Sequence, residues 1–127
     1  MIKKVVSSDR KIRIAIVGCG RISKRHFDSI EARADELELV SLCDTDANVL
    51  ATHHKKYNVP VYLHINKMMQ NEELDLVVLC TPSGLHAQQA ELAAKYGVNI
   101  ITEKPMATRW HDGLRMVKEN LLMLLQH

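Results

Sequence analysis

Aromatic side chains are scarce, at 4% of 127 residues, and neither charge sign dominates, with a formal net charge of +2. A surface for nucleic acid needs a strong basic excess and usually stacking aromatics, so binding to nucleic acid is not expected. Long apolar runs are also missing. Leu121–Leu125 is among the longest, far below the roughly 20 residues that span a bilayer, so no membrane association is expected. Met1 to Arg10 has two lysines but no long apolar segment behind them, which reads as no signal peptide. Cysteines are few and odd in number: Cys19, Cys43 and Cys80, with no CxxC spacing. Each lies in or beside an apolar run, so all three are expected to be buried, reduced thiols of a cytoplasmic protein. Metal ligands do not cluster. His53 and His54 are adjacent, and neighbours on a helix do not face each other, so no metal site is expected. Internal repeats and low-complexity linkers are absent as well.

What is present is an ordinary globular composition, 46% apolar and 25% charged. The length suits one domain, residues 1–127. Charge is unevenly placed: the first thirty residues hold eight Lys/Arg against two Asp/Glu, and the remainder nine against thirteen. Along the chain, short apolar runs alternate with amphipathic stretches. Strands are expected at Ile12–Val17, Leu37–Cys43, Val59–Tyr62, Leu76–Cys80 and Val98–Thr102. Helices are expected from Ile22 to about Ala34, after an Asp46 cap to about Tyr57, from Asn66 to about Asn71, and from Leu85 to Tyr96. Asn58 and Gly97 suit helix ends, and Pro60 suits only the start of its strand. A last helix would begin at Thr108, with Leu114, Val117, Leu121 and Leu124 down one side. Strict strand–helix alternation implies right-handed crossovers and an α/β, Rossmann-type doubly wound parallel sheet.

Two local features give this sheet a chemistry. Gly18-Cys19-Gly20-Arg21-Ile22-Ser23 follows the first strand and opens the first helix. Gly18 permits a tight turn, Gly20 lets a phosphate approach the backbone, and the helix start presents N–H groups to the anion. Ser23 stands where a third Gly or Ala is usual, and is small enough for helix–strand packing. Asp44 ends the second strand, 26 residues after Gly18. A carboxylate there accepts from ribose hydroxyls and repels a 2′-phosphate, and no arginine follows it, so NAD is favoured over NADP. A helix-capping or solvated acid is the alternative for Asp44, and a plain strand–helix turn the alternative for Gly18 and Gly20. Arg21, Lys24 and Arg25 either add positive field near the phosphates or form a solvated helix face. A methyltransferase using S-adenosylmethionine would share the turn and the acid.

Later motifs separate these readings. Thr81-Pro82-Ser83-Gly84-Leu85-His86 follows the fourth strand, and Glu103-Lys104-Pro105-Met106-Ala107 the fifth. Both lie at carboxyl ends of strands, where open parallel sheets bind ligands. With the glycine turn, they resemble the Gfo/Idh/MocA family of NAD(P)-dependent sugar and cyclitol dehydrogenases, from about Lys11 to Lys118. Within that family the similarity is to members that oxidise the C3 hydroxyl of a UDP-linked N-acetyl-hexosaminuronic acid for bacterial surface polysaccharides. The resemblance implies NAD as cofactor and a nucleotide-sugar substrate. It makes Lys104 the active-site lysine at the reacting hydroxyl and puts Glu103 near the nicotinamide ribose, a structural ion pair being the alternative for Glu103. It makes Arg21 and Ile22 part of the cofactor turn and sets Thr81, Pro82 and His86 beside the nicotinamide half. His86 has an equally good structural reading, and His26 a packing role. Arg109 and Trp110 line either the cofactor, a subunit contact of a homo-oligomer, or simply the last helix start. The Lys104–Pro105 bond is a candidate cis bond. Family members continue into a second domain that supplies the substrate pocket, and into a sixth strand. Neither follows Lys118, and the five apolar residues at Leu121–Leu125 read as a truncation or altered frame. A stand-alone NAD-binding or redox-sensing module is the competing function.

Overall fold

The computed structural model describes residues 10–102. Five parallel strands lie in the order β3-β2-β1-β4-β5. They are β1 (Ile12–Val17), β2 (Leu37–Cys43), β3 (Val61–Tyr62), β4 (Leu76–Leu79) and β5 (Asn99–Thr102). Between them run α1 (Lys24–Ala32), α2 (Ala47–Tyr57), α3 (Ile65–Asn71) and α4 (His86–Lys95), with single 3-10 turns at Arg21–Ser23 and Ser83–Leu85. The chain moves outward from β1 to β3, then crosses back to β4 on the other side. That reversal between β1 and β4 is the switch point of a doubly wound sheet.

The alternating side chains of the central strands feed two separate cores. Ile12, Ile14 and Ile16 of β1, with Leu76 and Val78 of β4, pack under Phe27 and Ile30 of α1 and Leu50 of α2. Ala15 and Val17, with Val77 and Leu79, pack under Met68 and Met69 of α3 and Ala93 of α4. Every residue of β4 is buried, which accounts for its continuous apolar run. Phe27 stacks on Tyr57 at 4.4 Å and on His53 at 5.2 Å, fastening α1 to α2. Strand β2 does not alternate cleanly in sequence, and a register shift explains this. Ile14 pairs with Leu39 and Ala15 with Ser41, so Val40 is skipped. The extra residue lets Leu37 and Leu42 serve one core while Val40 and Cys43 serve the other.

Local signals end the helices where expected. The Asp46 carboxylate accepts from Asn48 N at 2.9 Å and Val49 N at 3.3 Å, capping α2. Asn58 closes that helix in the left-handed region, at φ 53°, and Gly97 follows α4 at φ 70°. At the amino ends of the strands, Asp75 is buried and receives Arg10 through two bonds of 2.8 and 3.0 Å and Arg13 N at 2.8 Å. Asp75 O in turn accepts from Asn99 N and Asn99 Nδ2. The polar groups of Asp75 thus join β1, β4 and β5 at the edge away from the switch-point crevice.

Several expectations are corrected. The first helix is expected from Ile22, but α1 begins only at Lys24, and Ile22 is 57% exposed on the 3-10 turn before it. The 3-10 turn ahead of α1 breaks the 3.6-residue phase and rotates it outward. The third strand is shorter than Val59–Tyr62, because ladder pairing holds only Val61 and Tyr62. Cys19 and Cys43 are buried as expected, whereas Cys80 is only partly so. The last helix from Thr108, the Lys104–Pro105 bond, Arg109, Trp110 and Leu121–Leu125 lie outside the described residues. Among the described residues no helix is long and apolar enough to cross a membrane, and no cluster of metal-ligating side chains occurs.

Candidate cofactor site

The carboxyl ends of β1, β2 and β4 open into a cleft of about 560 Å³. The first strand contributes Val17, Gly18 and Gly20, and the second Cys43, Asp44 and Thr45. One side is formed after β3 by Leu63, His64, Ile65 and Asn66. The other is formed after β4 by Cys80, Thr81, Pro82, Leu85 and Gln89. Leu63 and Leu85 are exposed, at 45% and 43%, so apolar surface faces solvent on both sides of the cleft.

The two glycines of the turn do different work. Gly18 has φ +89°, and a Cβ built there would lie 2.8 Å from both the carbonyl carbon and oxygen of Cys80. Its N–H donates to Cys43 O at 2.8 Å, and Cys80 N donates to Val17 O at 2.7 Å, so β1 is held to β2 and β4 right at the turn. Gly18 is therefore required by the protein's own packing. Gly20 has φ −81°, and a Cβ there would meet nothing within 4 Å. Its missing side chain is not needed by the fold, and leaves open space over the start of the following helix, where an anion fits. Ser23 is buried, and its hydroxyl donates to Gly20 O at 2.5 Å, fixing the turn from below.

Asp44 sits in the cleft as expected and also braces it. Oδ2 accepts from Cys19 N at 2.8 Å and Oδ1 from Asp46 N at 2.8 Å. Asp46, not Asp44, is the helix cap. Each Asp44 oxygen keeps acceptor capacity beyond these bonds, enough to receive ribose hydroxyls. Beneath the turn, burial pushes the Cys19 thiol up to about 12 and the Cys43 thiol up to about 11, with the Asp44 charge adding to both. Both are inert, neutral packing groups at ordinary pH.

Of the residues singled out in the sequence, Gly18, Gly20, Asp44, Thr81 and Pro82 meet in this cleft. Arg21 and Ile22 are exposed on the adjoining 3-10 turn and do not line it. The His86 ring turns away to the loop itself, with Nε2 2.7 Å from Thr81 O, where it donates and ties the start of α4 to the end of β4. His26 is buried on the core side of α1. Glu103 and Lys104 lie outside the described residues. The sequence reading missed Leu63, His64, Asn66 and Gln89. Their only signal is position: they follow β3 or stand one turn into α4, and no motif marks them.

A doubly wound parallel sheet with a bare glycine turn and a carboxylate in the cleft at its switch point is the construction of a dinucleotide-binding domain. Residues 12–120 match the oxidoreductase family Gfo/Idh/MocA, NAD-binding Rossmann fold, and the chain belongs to that family. NAD is accordingly its cofactor. The chain is similar to the WlbA dehydrogenase from Bordetella pertussis, whose crystal structure holds NADH and UDP-GlcNAcA. Identity is 42%, TM-score 0.73, and the match covers 88% of this chain and 35% of that one. It is 30% identical to D-apiose dehydrogenase from Paraburkholderia graminis, over 92% of this chain and 31% of that protein. It is 29% identical to the redox-sensing transcriptional repressor Rex of Staphylococcus saprophyticus, over 76% of this chain and 45% of that protein. The chain thus spans less than half the length of each of these relatives.

Proposed function

We propose that this chain is the NAD-binding part of a sugar dehydrogenase that oxidises the C3 hydroxyl of a UDP-linked N-acetyl-hexosaminuronic acid, in surface polysaccharide biosynthesis in the cytoplasm. The observation that carries the reading is the open face of Gly20 beside the Asp44 carboxylate, in a chain 42% identical to a dehydrogenase holding NADH and UDP-GlcNAcA. NAD, when bound, supplies the hydride acceptor. Gly20 admits the pyrophosphate, Asp44 orients the adenosine ribose and disfavours a 2′-phosphate, and Thr81 and Pro82 bound the cleft. Lys104, carried over from the family motif, would hydrogen-bond the sugar hydroxyl and stabilise charge as its proton leaves. Glu103 would sit near the nicotinamide ribose. The sugar must be held by residues beyond those matched here, in a homo-oligomeric enzyme.

Calorimetric titration of the chain with NAD, NADP and S-adenosylmethionine tests the cofactor reading. NAD should bind most tightly, and binding of S-adenosylmethionine without NAD would overturn it. A second reading, an NAD-responsive module without catalysis, is favoured by the similarity to Rex. The 127-residue chain alone should give no NADH absorbance with UDP-GlcNAcA, because near-attack positioning of the sugar at about 3–3.5 Å needs a substrate pocket. Sustained, Lys104-dependent NADH formation by this chain would contradict that expectation. For the enzyme reading, a longer protein containing this domain should oxidise UDP-GlcNAcA in a Lys104-dependent way. Binding of NAD with no such turnover would leave the module reading standing.

A further inference from the structure

The wall of the cleft formed after β4 is held by a side chain that no motif marks. Gln89 lies one turn into α4, partly buried, and lines the cleft with Thr81. The Thr81 hydroxyl donates to Gln89 Oε1 at 2.5 Å. Thr81 is clamped a second time through its carbonyl, which accepts from His86 Nε2 at 2.7 Å. Its methyl is the nearest side-chain atom above Gly18, 3.1 Å from where a Cβ would stand. Thr81 is therefore pinned between the glycine turn on one side and α4 on the other. Gln89 accepts the hydrogen bond that holds the Thr81 χ1 from the α4 side, because a threonine rotates Oγ1 and Cγ2 together. Release of that bond would let Thr81 swing, and the wall facing Leu63 and Asp44 would lose its shape.

We infer that Gln89 is a positioning residue for the cofactor: it acts through the Thr81 hydroxyl to set the wall of the cleft that receives the half of the dinucleotide held by Asp44. This rests on the NAD reading above. Thr81, Leu85 and Gln89 share one cleft with Asp44 and Thr45, so this wall also bears on the half of the dinucleotide at Asp44.

The test is a double-mutant cycle on the full chain, with Gln89→Leu, Thr81→Val and both together. Kd is measured for NAD and for ADP, which carries only the adenosine and pyrophosphate, and each variant is also melted. Each single change should weaken NAD about 3- to 10-fold, the worth of one net hydrogen bond. The double variant should be no weaker than either single one, and ADP should lose the same factor as NAD. Gln88→Leu, one residue away and outside the cleft, should bind both as the wild type does. Additive losses would mean that Gln89 meets the cofactor directly and would overturn the inference. So would a lowered melting temperature with unchanged Kd, which would make Gln89 a brace of the fold, or a loss for NAD that ADP does not share. A wild-type chain that fails to bind NAD would overturn the cofactor reading instead.

Discussion

Two glycines two residues apart should fail in opposite ways when given side chains. At Gly18, alanine must hold φ +89° and place Cβ 2.8 Å from the backbone of Cys80. The left-handed conformation costs about 1–2 kcal/mol and overpacking about 1–3, so about 2–5 kcal/mol in all. Those contact atoms are main chain, so relief requires β4 to move away from β1. Against a typical domain stability of about 5–15 kcal/mol this is a large fraction. With a urea m-value of about 1–3 kcal/mol/M, the unfolding midpoint of Gly18→Ala should fall by about 0.7–5 M. At Gly20 the same experiment should show almost nothing. A Cβ there meets no atom within 4 Å, and the extended φ of −81° suits a side chain, so the stability of Gly20→Val should stay within about 0.5 kcal/mol of wild type. Calorimetry should then show NAD binding abolished in Gly20→Val, because the branched side chain fills the phosphate's space. Equal destabilisation by the two variants, or normal NAD binding by Gly20→Val, would refute this division of labour.

Asp44→Ala should weaken NAD by about 1–3 kcal/mol, read by titration, and should also lower the urea midpoint, because Cys19 N and Asp46 N lose their acceptor. Asp75→Ala should destabilise the fold by about 2–4 kcal/mol, less than a fully buried pair because Arg10 is partly exposed, yet leave the NAD affinity of the folded chain unchanged. Stability should fall as pH rises above about 9. Cys19 and Cys43 hold their protons in the folded chain to about 12 and 11, while the unfolded thiols release theirs near 9.0, so the folded state binds more protons across that window. A Cys19→Ala variant should show a shallower alkaline decline in urea titrations. Thiol labelling of the native chain at pH 8 should reach Cys80 well before Cys19 and Cys43.

Strands and caps were legible in the sequence because their causes are local. A strand buried on both faces must be apolar throughout, as β4 is, and Asp46, Asn58 and Gly97 act within one helical turn of themselves. The glycine turn and Asp44 were legible for the same reason, being short motifs tied to strand ends. The start of the first helix was set at Ile22 rather than Lys24 because helical periodicity assumes an unbroken α-helix, and one 3-10 turn is enough to change its phase. His86 left two readings open that spacing could not separate; the Thr81 carbonyl five residues back supplies the structural one. Gln89 and Leu63 left no trace, since a glutamine on a helix or a leucine after a strand acquires meaning only when the sheet order brings β3 and β4 to opposite sides of one crevice.

The double duty of Asp44 also constrains the history open to this protein. Its two oxygens fasten the glycine turn to the loop after β2 before any ligand arrives. A lineage drifting toward a phosphorylated cofactor has to discard the carboxylate, and in doing so unties the turn that every dinucleotide needs. The first mutation on that path therefore damages binding of the old cofactor and of the new one alike. The route is passable only in a set order, with another group first taking over the Cys19 and Asp46 amides and the charge being replaced afterwards.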